Sequence, residues 1–133
     1  MSATILYIED NPDNMTLVKR AIEAIGHTFV GMPTGLDGLK KANELHPDLI
    51  LLDINLPDID GYEIARRLRS SNDKHFMYVP IIAITANALK GDAEKALEAG
   101  CDVYMSKPIN IRELWSRVES LLETAKTTKE ETQ

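Results

Sequence analysis

A chain of 133 residues with a net charge of −6, 44% hydrophobic and 27% charged, has the length and balance of one soluble globular domain with a proper core. The acidity excludes the clustered Lys and Arg that nucleic-acid binding requires, and the one cysteine, Cys101, excludes an internal disulfide framework or a Cys-rich metal site. No apolar run approaches the roughly 18 residues of a membrane span, and "MSATILYIED" lacks the basic and long apolar regions of a secretory signal, so a cytoplasmic, reducing setting is expected.

The first element is the apolar run "TILYI" (4–8), a strand that ends in Glu9 and Asp10. Asp10 and Asp13 in "EDNPDN" have helix-capping chemistry. A helical stripe of Leu17, Val18, Ala21, Ile22 and Ile25 follows, stopped by Gly26. "TFVGM" (28–32) reads as the second strand, and Leu36, Leu39, Ala42 and Leu45 mark the second helix. "LILLD" (49–53) is a third strand running into Asp53, followed by a turn-rich segment with Pro57, Asp58, Asp60 and Gly61. Ile64, Ala65 and Leu68 indicate a third helix, on which Arg66, Arg67 and Arg69 read as a solvated face. "VPIIAIT" (79–85) is the fourth strand, ending at Thr85 with Ala86 and Asn87 beyond. A weakly apolar helix from Asp92 to Ala99 stops at Gly100. "DVYMS" (102–106) leads to Lys107 and Pro108, and Ile111, Leu114, Trp115, Val118, Leu121 and Leu122 form the clearest helical stripe. The folded domain is read as 1–124, with "AKTTKEETQ" (125–133) as a polar flexible tail.

Strand and helix alternate throughout, and the first, third and fourth strands are continuously apolar. That pattern predicts an α/β fold with a parallel sheet covered on both faces. Every strand of such a sheet points its C-terminal end to one edge, where open α/β folds place their sites. Glu9, Asp10, Asp53, Thr85 and Lys107 would meet there. Two carboxylates about 4 Å apart repel by roughly 4 kcal/mol at an effective dielectric of about 20. Such a cluster must take up protons or bind a cation. Oxygen donors without His or Cys suit a hard ion, with Mg²⁺ the usual choice beside phosphate. Asp53 could then act as a carboxylate nucleophile toward phosphorus, with Lys107 and Thr85 meeting the phosphoryl oxygens. His27, His46 and His75 have no spacing that suggests a metal site, and Cys101 reads as a small core residue.

"YIEDN", "LLDINLPDIDG", "AITAN" and "YMSKPI", in this order and spacing, resemble the receiver domain of two-component response regulators over about residues 4–123. The resemblance implies a flavodoxin-like three-layer (βα)5 fold with a five-stranded parallel sheet in the order 2-1-3-4-5. It implies Asp53 as phosphoacceptor, Thr85 and Lys107 as phosphoryl-holding residues, and Thr85 and Tyr104 as the switch pair. The metal, Mg²⁺ with Mn²⁺ as a substitute, would be held by Asp10, Asp53, the backbone carbonyl of Asn55, and Glu9, the last directly or through water. Asn55, Ala86 and Asn87 would modulate the pocket, and the Lys107–Pro108 peptide would be cis. Glu9 departs from the two-Asp pattern usual in the family. The implied partners are a histidine kinase or histidine phosphotransfer protein and a downstream protein reading the surface of the fourth helix, fifth strand and fifth helix. Such a protein is a monomer or weak dimer and not a turnover enzyme.

The opening "EDNPDN" and the absence of an output domain are similar to single-domain, DivK-like members. The alternative within the family is a receiver from a longer regulator or hybrid histidine kinase. A phosphatase with an Asp nucleophile would need an acid two residues later, where Asn55 stands. A flavin binder would meet repulsion from the acidic "EDNPDN" loop.

Overall fold

The computed structural model describes residues 2–86 and 91–132, with side chains through Ala125. Among the described residues, β1 (Thr4–Ile8), β2 (Thr28–Met32), β3 (Leu49–Asp53), β4 (Ile81–Thr85) and β5 (Val103–Ser106) form a parallel sheet in the order β2-β1-β3-β4-β5. The helices are α1 (Pro12–Ala24), α2 (Gly35–Leu45), α3 (Gly61–Arg69), α4 (Lys74–Tyr78), α5 (Asp92–Ala99) and α6 (Ile111–Thr132). The expected fold class, sheet type and strand order are those observed. Among the described residues, no helix is long and apolar enough to cross a membrane.

Strand alternation sends side chains to two cores. Ile5, Tyr7, Leu49, Leu51, Ile82, Ile84 and Met105 pack with Val18, Ala21 and Ile22 of α1 and with Leu114 and Val118 of α6. On the other face, Leu6, Ile8, Ile50, Leu52, Ile81 and Ala83 pack with α2, α3, Phe76 of α4, and Ala96 and Ala99 of α5. β3 and β4 are buried along their whole length, whereas the edge strands β2 and β5 are mostly half-exposed. This is why the central runs are continuously apolar. The register pairs Ile8 with Leu52, Asp53 with Ile84, and Thr85 with Ser106. Those three pairings bring the ends of β1, β3, β4 and β5 level at one edge.

The connections carry information that periodicity does not. Asn11, rather than Asp10 or Asp13, caps α1, its side chain accepting from Asn14 N at 2.9 Å with Pro12 at the first helical position. Asp58 accepts from Gly35 N at 2.8 Å and Leu36 N at 2.9 Å, so the loop after β3 is tied to the start of α2. α4 has no counterpart in the sequence reading. Its five residues bury Phe76 alone among their side chains, too little for a helical stripe, and Asp73 caps it through His75 N at 2.9 Å. It ends at Tyr78 with Val79 as its C-cap, so β4 starts at Ile81, two residues later than the apolar run suggests. The fourth and fifth expected helices are accordingly α5 and α6.

One correction concerns the basic group. Arg66 and Arg67 do lie on the solvated face, each with Nε 3.1 Å from Glu63. Arg69 does not. Its guanidinium donates to Gly100 O at 2.9 Å, Phe76 O at 2.9 Å and Asp102 Oδ2 at 3.0 Å, joining the end of α3 to α4 and to the turn before β5. Trp115 is half-buried on α6 and donates from Nε1 to Ala21 O at 2.8 Å, satisfying a carbonyl in the last turn of α1. α6 continues past Leu122 to Thr132, through the residues read as a polar tail. Ala, Lys and Glu favour helix there, and no Gly or Pro interrupts it.

Gly61 opens α3 against the backbone of the preceding loop. A Cβ there would meet Ile54 Cα at 2.6 Å and Asp53 O at 2.7 Å. Backbone cannot yield as a flexible side chain can, so Gly61→Ala is expected to destabilise the fold by about 1–3 kcal/mol. Urea unfolding checks this, and an unchanged midpoint is the contrary result.

Candidate functional site

The sheet edge collects the charges that the sequence placed at the strand ends. Glu9 follows β1 directly, and its N–H donates to Met32 O at 3.0 Å, extending the pairing with β2 by one residue. Its side chain is buried. Oε1 accepts from Tyr7 Oη at 3.0 Å and from Asn14 Nδ2 at 3.0 Å, and lies 2.8 Å from Lys107 Nζ. Oε2 is buried with no hydrogen-bond partner among the described residues. Asp53, also buried, closes β3. Its Oδ1 accepts from Asn55 N at 3.0 Å and its Oδ2 from Lys107 Nζ at 3.3 Å. Asp10 is exposed at the mouth, and one oxygen each from Glu9, Asp10 and Asp53 lies within 4.8 Å of the others.

Lys107 reaches inward from the turn after β5. Its N–H donates to Thr85 O at 2.8 Å, and the Lys107–Pro108 peptide is cis. The Thr85 hydroxyl donates to Asn55 Oδ1 at 3.2 Å, so the loop after β3 and the end of β4 are linked beside Asp53. Ala86 is exposed in the bend after β4. Tyr104 is half-buried and packs against the core shared by α2 to α5, on the opposite side of the sheet from Tyr7. Asn87 lies outside the described residues. The site thus brings together Glu9, Asp10, Asp53, Asn55, Thr85 and Lys107, and Tyr104 stands apart on the other face.

Two residues escaped the sequence reading. Tyr7 is two positions before Glu9 and so shares its face of the strand. Asn14 completes "EDNPDN" and returns to Glu9 from the first turn of α1. Both signals were present, but a buried tyrosine and a helix-start asparagine each have ordinary structural uses.

Electrostatics follow from this crowding. Burial alone would favour a neutral Lys107, but the hydrogen bond and charge of Glu9 and the charge of Asp53 outweigh it and hold the ammonium above the usual lysine range. Burial and the neighbouring Glu9 push the Asp53 carboxyl up to about 7, against the Asn55 N–H and Lys107. Burial also works to raise Glu9, yet hydrogen bonding with Asp53 and Lys107 keeps it below the usual carboxylate range. The proton of the pair therefore sits on Asp53, because Glu9 has the shorter Lys107 contact and the Tyr7 and Asn14 donors as well. Burial and the Glu9 charge raise the Tyr7 phenol, which stays a donor.

The arrangement can do two things with its excess negative charge: hold a proton or hold a cation. Three carboxylates, one with a bare buried oxygen, fit a hard divalent ion such as Mg²⁺. A cavity of about 540 Å³ lies elsewhere, at the N-terminal ends of the strands, lined by groups including His27, Arg69, Tyr78 and Glu119. None of the charge cluster borders it.

Comparison with known proteins bears on the fold and the family. The response regulator receiver domain family matches residues 5–119. The chain is similar to the polar-differentiation response regulator DivK of Brucella ovis, 40% identical over 122 residues that cover 92% of this chain and 98% of that protein. Among solved structures it resembles the receiver domain of the sensor histidine kinase PA1611 from Pseudomonas aeruginosa PAO1, which has a magnesium ion coordinated in its active site cleft. That match has a TM-score of 0.83 at 35% identity and covers 92% of this chain and 99% of the other. A CheY-like receiver domain protein from Methanospirillum hungatei JF-1 superposes with a TM-score of 0.88 at 26% identity, covering 96% and 99% of the two chains.

The raised Asp53 carboxyl has a consequence for stability. An unfolded aspartate titrates near 3.8, whereas the buried one titrates near 7 without metal. Between these values the folded protein holds a proton that the unfolded chain has lost, so this contribution weakens as pH rises and levels off above about 7. Glu9, shifted downward, acts in the opposite sense only below about 4.5. In chelator, Asp53→Asn is therefore expected to gain on wild type as pH rises from about 5 to about 8, by about 1–3 kcal/mol. Urea unfolding of both proteins across that range measures the gap, and a gap independent of pH is the contrary result.

Proposed function

The chain belongs to the receiver-domain family of two-component response regulators, and on that premise we propose that Asp53 is its phosphoacceptor. The observation that carries this reading is the buried Asp53–Lys107–Glu9 cluster with its uncompensated negative charge. The donor is a phosphohistidine on a histidine kinase or histidine phosphotransfer protein. A bond forms between an Asp53 carboxylate oxygen and phosphorus as the phosphorus–nitrogen bond breaks, its electron pair staying on the imidazole nitrogen. Asp10, Asp53, the Asn55 backbone carbonyl and Glu9 would hold Mg²⁺, or Mn²⁺ with the same donors, supplying positive charge to offset the phosphoryl oxygens. The magnesium in the cleft of the PA1611 receiver supports that assignment. Lys107, already in contact with Asp53 Oδ2, moves its ammonium onto a phosphoryl oxygen.

Thr85 supplies the switch. Its hydroxyl leaves Asn55 Oδ1 for a phosphoryl oxygen, and Tyr104, two residues short of the end of β5, turns inward. The surface of α5, β5 and α6 then changes between two states, and a downstream protein reads it. Asn55, Ala86 and Asn87 rim the acceptor and set how fast the acyl phosphate hydrolyses. The protein carries a signal as one phosphoryl group on one side chain, in the cytoplasm, as a monomer or weak dimer. The full-length similarity to DivK supports a stand-alone regulator. The PA1611 receiver, part of a sensor kinase, favours a second reading as a receiver within a hybrid kinase, which the extent of the open reading frame decides.

Incubation with acetyl phosphate and Mg²⁺ is expected to add about 80 Da, the mass of one phosphoryl group. The gain should vanish in chelator and in Asp53→Asn, as measured by intact mass. An Asp53→Asn protein modified at the wild-type rate would overturn the assignment. Amide chemical shifts from Thr85 to Pro108 are expected to move on phosphorylation, and unchanged shifts there would remove the switch.

A further inference from the structure

Glu9 is held in an unusual way for a residue that faces a cation. Its Oε1 takes Tyr7 Oη at 3.0 Å, Asn14 Nδ2 at 3.0 Å and Lys107 Nζ at 2.8 Å, while Oε2, equally buried, has no donor among the described residues apart from the proton it shares with Asp53. A carboxylate oxygen has two lone pairs, so three donors saturate Oε1 and leave the other oxygen as the available ligand atom. The donors come from different directions. Tyr7 rises from the core beneath the strand, its ring edge-on to Phe29 with centroids 6.4 Å apart. Asn14 comes from the first turn of α1, where its backbone N–H donates to the Asn11 cap. Lys107 comes from the turn after β5.

A glutamate has one more rotatable bond than an aspartate, and an unrestrained one would lose entropy on meeting an ion. Here that freedom is removed in advance. The Tyr7 hydroxyl lies in a fully buried side chain, and Glu9 gives it an acceptor there. An aspartate, shorter by one bond, would draw its carboxylate away from that hydroxyl.

We infer that Tyr7 and Asn14 are positioning residues that fit a glutamate to the divalent-cation site, turning the bare Oε2 of Glu9 toward the ion beside Asp10 and Asp53; this rests on the metal reading given above. Tyr7 and Asn14 do not touch the ion. They restrict the side chain that does, in the manner of groups that orient a ligand from behind.

Calorimetric titration of the metal-free protein with Mg²⁺ tests this without phosphorylation. Tyr7→Phe keeps the ring in the core, and Asn14→Ala, half-buried on α1, leaves the core alone. Each is expected to weaken Mg²⁺ binding by about tenfold. In a Glu9→Asp background, Tyr7→Phe should change the affinity by less than about twofold, because the contact it removes is already broken. Unfolding midpoints in chelator establish that each variant is folded. Equal Mg²⁺ affinity in wild type and both single variants overturns the inference, as does an equal loss from Tyr7→Phe in both backgrounds, which marks a packing effect. A wild-type protein that binds no Mg²⁺ removes the metal reading itself and this inference with it.

Discussion

Lys107 serves two buried carboxylates at once, lying 2.8 Å from Glu9 and 3.3 Å from Asp53, and one positive charge does not balance them. Removing an ionised group from water costs several kcal/mol unless it is paired. The site is thus set up to take one more positive charge, as a proton or as a cation. Much of the local architecture holds it in that condition. The parallel register levels the strand ends, and Gly61 lets α3 start against the backbone of Asp53 and Ile54. Asp58 ties the loop after β3 to α2, and Asn11 fixes the turn that carries Asn14. These contacts oppose the relaxation that would let the carboxylates separate.

The same imbalance explains why two chemically similar side chains differ. Glu9 and Asp53 are both buried at the ends of adjacent strands. Glu9 collects the Tyr7 hydroxyl, the Asn14 amide and the closer ammonium contact, whereas Asp53 has one backbone N–H and a longer ammonium contact. The carboxylate with more hydrogen-bond donors keeps the charge, and the other takes up the proton.

Much of this was legible in the chain because the main signals are local. Continuous apolar runs gave the central strands, and residues at their ends converge by geometry alone once the sheet is parallel. What stayed hidden depends on contacts between distant segments. α4 buries Phe76 alone and has no period to detect. Arg69 looks like its neighbours Arg66 and Arg67, yet its partners Gly100 and Asp102 lie about thirty residues away. Tyr7 and Asn14 sit within motifs already noticed, but their shared partner becomes apparent only when strand and helix are placed side by side. α6 outruns its apolar stripe because Ala, Lys and Glu still favour helix after Leu122, where large apolar residues cease.

The alternation of the strands divides the molecule in a way that bears on how it can vary. Tyr7 belongs to the layer beneath α1 and α6, and Tyr104 to the layer beneath α2 to α5. The sheet, buried along its central strands β1, β3 and β4, separates the two layers. Changes in one layer can therefore retune how the edge is charged, while changes in the other reshape an outer surface, each with little steric consequence for its counterpart. A fold partitioned like this can keep its chemistry while its descendants acquire new partners.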